Sequence, residues 1–173
     1  MAHGRAADLY DLGDGRVLRR YRTAHCSAPE ATVIGRLLDA GNPVPKVLGV
    51  DGGDIIMGRI NGPTMLEALA RKPWRLLWEA DRLAGLHGSL HRITLPEGRI
   101  VHLDLPSRKR DSSKNGPVVI DWGNAEAGVP ELHIANTWLI MSTPESGATA
   151  SLSLRLLQMG RGPFLHRFLG ASA

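Results

Sequence analysis

The sequence predicts an α+β protein, with a small β-rich lobe carrying one helix followed by a mainly helical lobe. Three observations carry that reading. In "DLYDLGDGRVLRRY", Gly13-Asp14-Gly15 lies between β-prone runs, and an Asp-Gly step accepts the positive φ of a tight hairpin turn. "VPKVLGV" and "IIMG", joined by "DGGD", repeat the pattern. Between the two hairpins, Ser27, Pro29 and Glu30 form a capping-box signature, Val33, Ile34, Leu37 and Leu38 form an apolar stripe, and Gly41-Asn42-Pro43 stops the helix. Hairpin, helix and hairpin together make residues 1–60 one lobe.

The second lobe, 61–173, reads mainly as helix. Thr64 and Glu67 form another capping box, and 74–91 places Leu76, Ala80, Leu83 and Leu90 on one helical face. Two short apolar strands, "IVHLD" and "GPVVIDW", interrupt the helices and flank a polar loop, and a helix follows around 131–141. The leucine-rich stretch 147–169 is broken by Gly160, Gly162 and Pro163.

With 173 residues, 43% hydrophobic and 22% charged, the chain has ordinary globular composition. Its formal charge of +4 comes from 21 basic residues scattered along the chain, so it favours an anionic ligand without marking a nucleic-acid surface. The single cysteine, Cys26, excludes an internal disulfide and a multi-cysteine zinc site. No secretory leader or membrane span is legible, so a cytoplasmic protein without a membrane partner is expected. His87 and His91 lie four apart on a helix but lack the intervening Glu of a metalloprotease helix, which makes a packing role the better reading.

The chemistry gathers at two acids that each end a short apolar strand, Asp104 in "VHLDL" and Asp121 in "VVIDWG". Phosphoryl transfer needs such a pair, one carboxylate to orient or deprotonate an acceptor hydroxyl and one to hold Mg²⁺ against nucleotide phosphates. With these motifs in this order, residues 9–140 resemble the aminoglycoside phosphotransferase and choline kinase family, which has a protein-kinase-like fold. His102-Leu103-Asp104 resembles that family's His-x-Asp loop, and Ile120-Asp121-Trp122-Gly123 its metal-binding segment.

The resemblance implies that Asp104 is the catalytic base, that His102 braces the loop spanning 100–123, and that Asp121 holds Mg²⁺. It implies a hinge at Met57, Gly58, Arg59 and Ile60 that receives the adenine of ATP, and a helix acid, Glu30, paired with a phosphate-binding cation. With no Gly-rich phosphate loop and no early strand lysine, Arg19 is the best stand-in for that cation.

The departures are specific. The position of the family's metal-binding asparagine is Lys109, and Asn115 is distant along the loop. Where the family usually has an acid, this chain has His133, so a contact bracing the loop is expected to be lost. The C-terminal substrate-binding region reads as incomplete. The expected activity is ATP-dependent transfer of the γ-phosphoryl group to a hydroxyl of a small molecule, such as an aminoglycoside or a related metabolite. The alternative is a catalytically impaired pseudokinase that binds nucleotide or acts as an interaction module. A basic nucleic-acid-binding domain has only the charge in its favour.

Overall fold

The computed structural model describes residues 2–3, 7–22, 27–95, 98–103, 108–110, 117–143 and 152–172, with side chains for 7–22, 27–95, 98–103, 117–143 and 159–172. The chain divides into two units, Met1–Gly62 with Lys109–Gly123, and Pro63–Arg108 with Asn124–Ala173. The sequence reading gave the whole 100–123 loop to the helical part. Residues 109–123 instead belong with the first unit, where the Val119 N–H donates to the Pro43 carbonyl at 2.8 Å and Arg19 reaches Asp121.

The first unit is built on a five-stranded antiparallel sheet. Its strands are β1 (Ala2–His3), β2 (Ala7–Asp11), β3 (Arg16–Tyr21), β4 (Val47–Asp51) and β5 (Asp54–Gly58), in the order β1-β2-β3-β5-β4. The two hairpins are joined by β3 pairing with β5, with Val17 opposite Met57 and Arg19 opposite Ile55. Gly13 and Gly15, at φ 83° and 79°, take the left-handed turn geometry that the Asp-Gly step anticipates.

Helix α1 (Ala28–Asp39) buries Ile34 and Leu37 and ends in a Schellman motif. Gly41 sits at φ 76°, its N–H donates to the Leu38 carbonyl, and the Asn42 N–H donates to the Leu37 carbonyl. The start of the helix corrects the sequence reading, because Ser27 makes no capping bond. Its hydroxyl, fully buried, donates instead to the Gly52 carbonyl at 2.8 Å, tying the helix start to the β4–β5 turn, and Glu30 has other partners described below.

In the second unit, α2 (Met65–Arg71) has the expected capping box, with the Glu67 N–H donating to Thr64 Oγ1 and the Thr64 N–H donating to Glu67 Oε2. The expected 74–91 helix is a single 3₁₀ turn, Pro73–Arg75, followed by α3 (Leu76–His91), which buries Ala80, Leu83, Leu86 and Leu90. Strands β6 (Thr94–Leu95) and β7 (Gly98–His102) follow; the pair β8 (Arg108–Arg110) and β9 (Pro117–Val119) belongs, apart from Arg108, to the first unit. A strand absent from the sequence reading, β10 (Ala125–Gly128), pairs antiparallel with β7 and places Ala125 opposite His102.

Helices α4 (Pro130–Ser142) and α5 (Leu152–Ser172) complete the unit. The expected break in the C-terminal stretch does not occur, since α5 runs through Gly160, Gly162 and Pro163. An interior proline costs a helix about 3 kcal/mol, and that cost is offset by burial of Phe164, Leu165 and Phe168, the last against His87 of α3. Of the four tryptophans, expected as core residues, only Trp122 is buried; Trp74, Trp78 and Trp138 are exposed, with Arg75 and Arg82 stacked on Trp78. No described helix is long and apolar enough to cross a membrane.

Candidate functional site

Strand β3 alternates its side chains, so Arg19 and Tyr21 leave it on the same face, and both meet Glu30 of α1. Arg19 Nη1 donates to Glu30 Oε1 at 3.0 Å, and the Tyr21 hydroxyl donates to Glu30 Oε2. The other arm of the guanidinium, Nη2, donates to Asp121 Oδ1 at 2.7 Å. One arginine therefore bridges two carboxylates, with side-chain exposures of 13% for Arg19, 5% for Glu30 and 47% for Asp121. The fork of guanidinium donors suits that bridge in a way that an ammonium does not.

Burial pushes the Glu30 carboxyl above its ordinary range, outweighing the Arg19 charge, the Tyr21 hydroxyl and a backbone N–H from Trp122 that favour the anion. Burial also acts to lower Arg19, yet Glu30 and Asp121 together hold it above its ordinary value. Tyr21 is raised by burial and by its bond to Glu30, so it remains a donor.

The segment carrying Asp121 is shaped to fit this bridge. Val118 and Val119 are buried, and Asp121 follows at φ 69°, the one positive-φ residue other than glycine among the described residues. A left-handed conformation there costs about 1–2 kcal/mol for most side chains and less for Asp. Trp122 folds back, with Nε1 donating to the Val119 carbonyl at 3.1 Å. A Cβ at Gly123 would stand 2.8 Å from the Tyr21 hydroxyl oxygen and 3.0 Å from Arg19 Nη2, so a larger residue there would have to displace one of these side-chain ends.

Of the hinge residues, Met57 is buried and lies opposite Val17 and Val47 in the sheet. The Gly58 and Arg59 amides already donate to the carbonyls of Lys46 and Gly15, at 2.9 Å each, and the Arg59 side chain pairs with Asp11. The Gly58 and Arg59 amides are thus already engaged within the sheet. Asp104 and Asn115 lie outside the described residues, as does the side chain of Lys109.

His102, at the end of β7, belongs to a second cluster within the second unit. Four of the seven histidines gather there: His87 and His91 on α3, His102, and His133 on α4. The His102 N–H donates to His133 Nε2 at 3.2 Å, so the neutral His133 ring carries its proton on Nδ1, which donates to His91 Nε2 at 2.9 Å. The His87 ring lies 4.2 Å from that of His133 and is held by Nδ1–H to the Leu83 carbonyl and by the Thr137 hydroxyl at Nε2. The expected loss of a bracing contact at position 133 is thus corrected, since a neutral imidazole offers the lone pair that the anticipated acid would have offered.

Two residues of these clusters, Tyr21 and Asn136, were absent from the sequence reading, and His91 was read only as a packing residue. Tyr21 lies two positions after Arg19 on one strand, which puts both on one face. Asn136, whose Nδ2 donates to the Leu103 carbonyl at 2.6 Å, lies three positions after His133 on one helix, and His91 shows only as a helix neighbour of His87.

Burial lowers His133 to about 2, helped by His87, His91 and His102, and burial lowers His91 as well. The folded site thus refuses a proton that the unfolded chain accepts near pH 6.5. Stability is full above that value and drains as pH falls towards the folded value, with about 2 kcal/mol lost between pH 7 and pH 5. Urea titrations at pH 7, 6 and 5 are expected to show this slope in wild type and a shallower one in His133→Leu. A flat wild-type profile would contradict the assignment.

No protein-family profile matches the chain, and no curated protein matches it. Its fold does match solved structures. The gentamicin complex of the aminoglycoside phosphotransferase APH(2")-IIa superposes with a TM-score of 0.68 at 12% identity, covering 99% of this chain and 79% of that one. The GDP and kanamycin complex of APH(2")-IIia superposes with a TM-score of 0.62 at 13% identity, covering 99% of this chain and 80% of that one. The chain has the kinase-like fold of the aminoglycoside phosphotransferases.

Proposed function

We propose that the protein is a nucleotide-dependent phosphotransferase that moves the γ-phosphoryl group of ATP to a hydroxyl of a small molecule, such as an aminoglycoside or a related metabolite. The observation that carries this is the Arg19 bridge, which brings a cation from β3, an acid from α1 and the strand-end acid Asp121 to one point. The fold shared with aminoglycoside phosphotransferase structures supports the same reading.

In this reading Arg19 keeps Glu30 as its anchor and turns its second arm to the nucleotide phosphates. The base stacks at the hinge, Met57 to Ile60. Asp104 takes the proton of the acceptor hydroxyl as its oxygen bonds the γ-phosphorus and the bond to the β-phosphate oxygen breaks, releasing ADP. His102 holds the strand end that leads to Asp104.

No group of three potential ligands among the described residues forms a metal cage. A single strand-end carboxylate suits Mg²⁺, which takes one or two carboxylates and completes its shell with phosphate and water. Asp121, half-exposed, would hold it, and the ion would neutralise charge on the phosphates. The second reading, a nucleotide-binding protein without turnover, is favoured by Lys109 at the position of the family's second metal ligand.

Calorimetric titration of the protein with ATP and with GTP, with and without Mg²⁺, tests the proposal. Asp121→Asn tolerates the left-handed backbone and removes only the charge. It is expected to weaken Mg²⁺-dependent binding by at least about tenfold, as loss of a charged contact implies. ADP release with a panel of aminoglycosides then separates the two readings, since binding without release under any acceptor points to the second. No nucleotide binding by the folded protein overturns both.

A further inference from the structure

We propose that the outer face of α4 is an interaction surface for a second copy of this chain, whose own α4 docks on it antiparallel, about a twofold axis beside Ala135. The inference is independent of the phosphotransferase reading. It starts from a helix whose pattern is inverted. α4 turns His133 and Thr137, both fully buried, into the protein, while Leu132 and Leu139 are 60% and 57% exposed and Trp138 and Ile140 are exposed beside them. A surface helix puts its apolar stripe inside and its polar residues outside, so an apolar outer face calls for a cover.

Helical spacing joins these residues into one surface. Leu132, Ala135 and Leu139, at i, i+3 and i+7, form its central line, with Trp138 on one flank and Ile140 on the other, and exposed Val129 extends it at the N-terminal end. Together they leave roughly 500 Å² of apolar side chain in water, towards the upper end of the largest patch on a typical monomer. Two such faces reach the roughly 1,000 Å² that a specific interface requires. Ala135, small and central, lets two helices approach closely.

Charge selects the occupant. Residues 129–143 contain one charged side chain, Glu131, and no Lys or Arg, in a chain with 21 basic residues and a formal charge of +4. An anionic lipid surface would find no cation along this helix face to hold its headgroups. A second copy finds complementary ends. With Leu132 of each copy against Leu139 of the other, Glu131 comes to the C-terminal end of the opposite helix, where Arg161 of α5 donates to the Ser142 carbonyl at 3.0 Å. The two Glu131 side chains then stand about 13 Å apart along the helices, beyond a Debye length at physiological salt. The other exposed apolar patch of this unit, at Trp74, Leu77 and Trp78, sits among Arg71, Lys72, Arg75 and Arg82 and would set like charges against each other in a pair of copies.

Sedimentation velocity of the full chain over about 1–100 µM tests the proposal, since an interface of this size fits a dissociation constant of roughly micromolar order. Wild type is expected to pass from monomer to dimer across that range. Leu139→Glu, at a position exposed in the monomer, is expected to keep its helical circular dichroism and to weaken the dimer at least about tenfold, because it sets a carboxylate against an apolar face. Trp74→Ala, on the other patch, is expected to leave the dimer unchanged. In a Cys26→Ser background, Ala135→Cys is expected to form a covalent dimer under oxidised glutathione, because the two thiols meet beside the axis. A wild-type chain monomeric throughout the range overturns the proposal, and so does a dimer that Leu139→Glu leaves intact or that Ala135→Cys fails to cross-link. Monomeric protein that binds phosphatidylcholine or phosphatidylserine vesicles, with the binding lost in Leu139→Glu, assigns the face to lipid and equally overturns it.

Discussion

Replacing Arg19 with alanine is expected to destabilise the first unit by about 3–5 kcal/mol, the range for breaking a buried ion pair from one side. Glu30 has a side chain only 5% exposed, and without Arg19 it keeps the Tyr21 hydroxyl and the Trp122 backbone N–H but no positive charge. Its carboxyl, already raised by burial, would rise further, so in the variant the protonated acid is the form that suits the fold. The deficit against wild type should therefore shrink as pH falls through the raised folded value and grow as pH rises through it. Arg19→Ala combined with Glu30→Gln should recover much of the loss at pH 7, because no buried charge remains. Arg19→Lys should recover only part, since an ammonium cannot reach both Glu30 and Asp121 with a fork. Urea denaturation of the four proteins at pH 5 and pH 8 measures all of this. A loss below about 1 kcal/mol at both pH values, the scale of an exposed pair, would mean that Arg19 does not compensate the burial of Glu30.

The elements legible in the sequence were those marked by local chemistry. Gly41 in the left-handed conformation, the Thr64–Glu67 box and the Asp-Gly turn each act over a few residues, so a single sequence shows them. Elements decided by distant partners were not legible. The "AEAG" of β10 has no strand pattern of its own and is a strand because β7 offers it an edge, with Ala125 opposite His102. Ser27 looks like a helix cap, but two strand-turn carbonyls, Gly52 and Asp54, compete for its hydroxyl and win it.

The same division runs through the candidate site. Arg19 and Glu30 lie 11 positions apart and Arg19 and Asp121 lie 102 apart, so no spacing rule joins them; only the family resemblance named all three. At position 133 the sequence misled for a chemical reason. An acid and a neutral imidazole look unlike as residue types, yet each accepts a backbone N–H, and which function the imidazole serves depends on the other nitrogen's partner, His91.

Phe168→Ala is expected to cost the second unit about 3–5 kcal/mol, the range for truncating a fully buried aromatic side chain. Phe168 is wholly buried in α5, and its ring meets that of His87 edge-on, 5.1 Å between centroids at 63°. With Gly160, Gly162 and Pro163 in its length, α5 has weak intrinsic reason to be helical, so its order must come from what it buries against α3. The rim pair of Arg167 with Asp81 involves the same helix but is exposed on both sides, and its loss in Arg167→Ala should cost far less than the loss of Phe168. Thermal and urea unfolding of the two variants weigh packing against charge on one element. If Arg167→Ala matched Phe168→Ala, α5 would be held by its surface pair and the run through Pro163 would have no account in burial. If Phe168→Ala dominates, the edge-on contact also makes α5 one support of the His87 ring that lies against His133. The amide of His102 should then exchange faster in Phe168→Ala than in Arg167→Ala at matched overall stability.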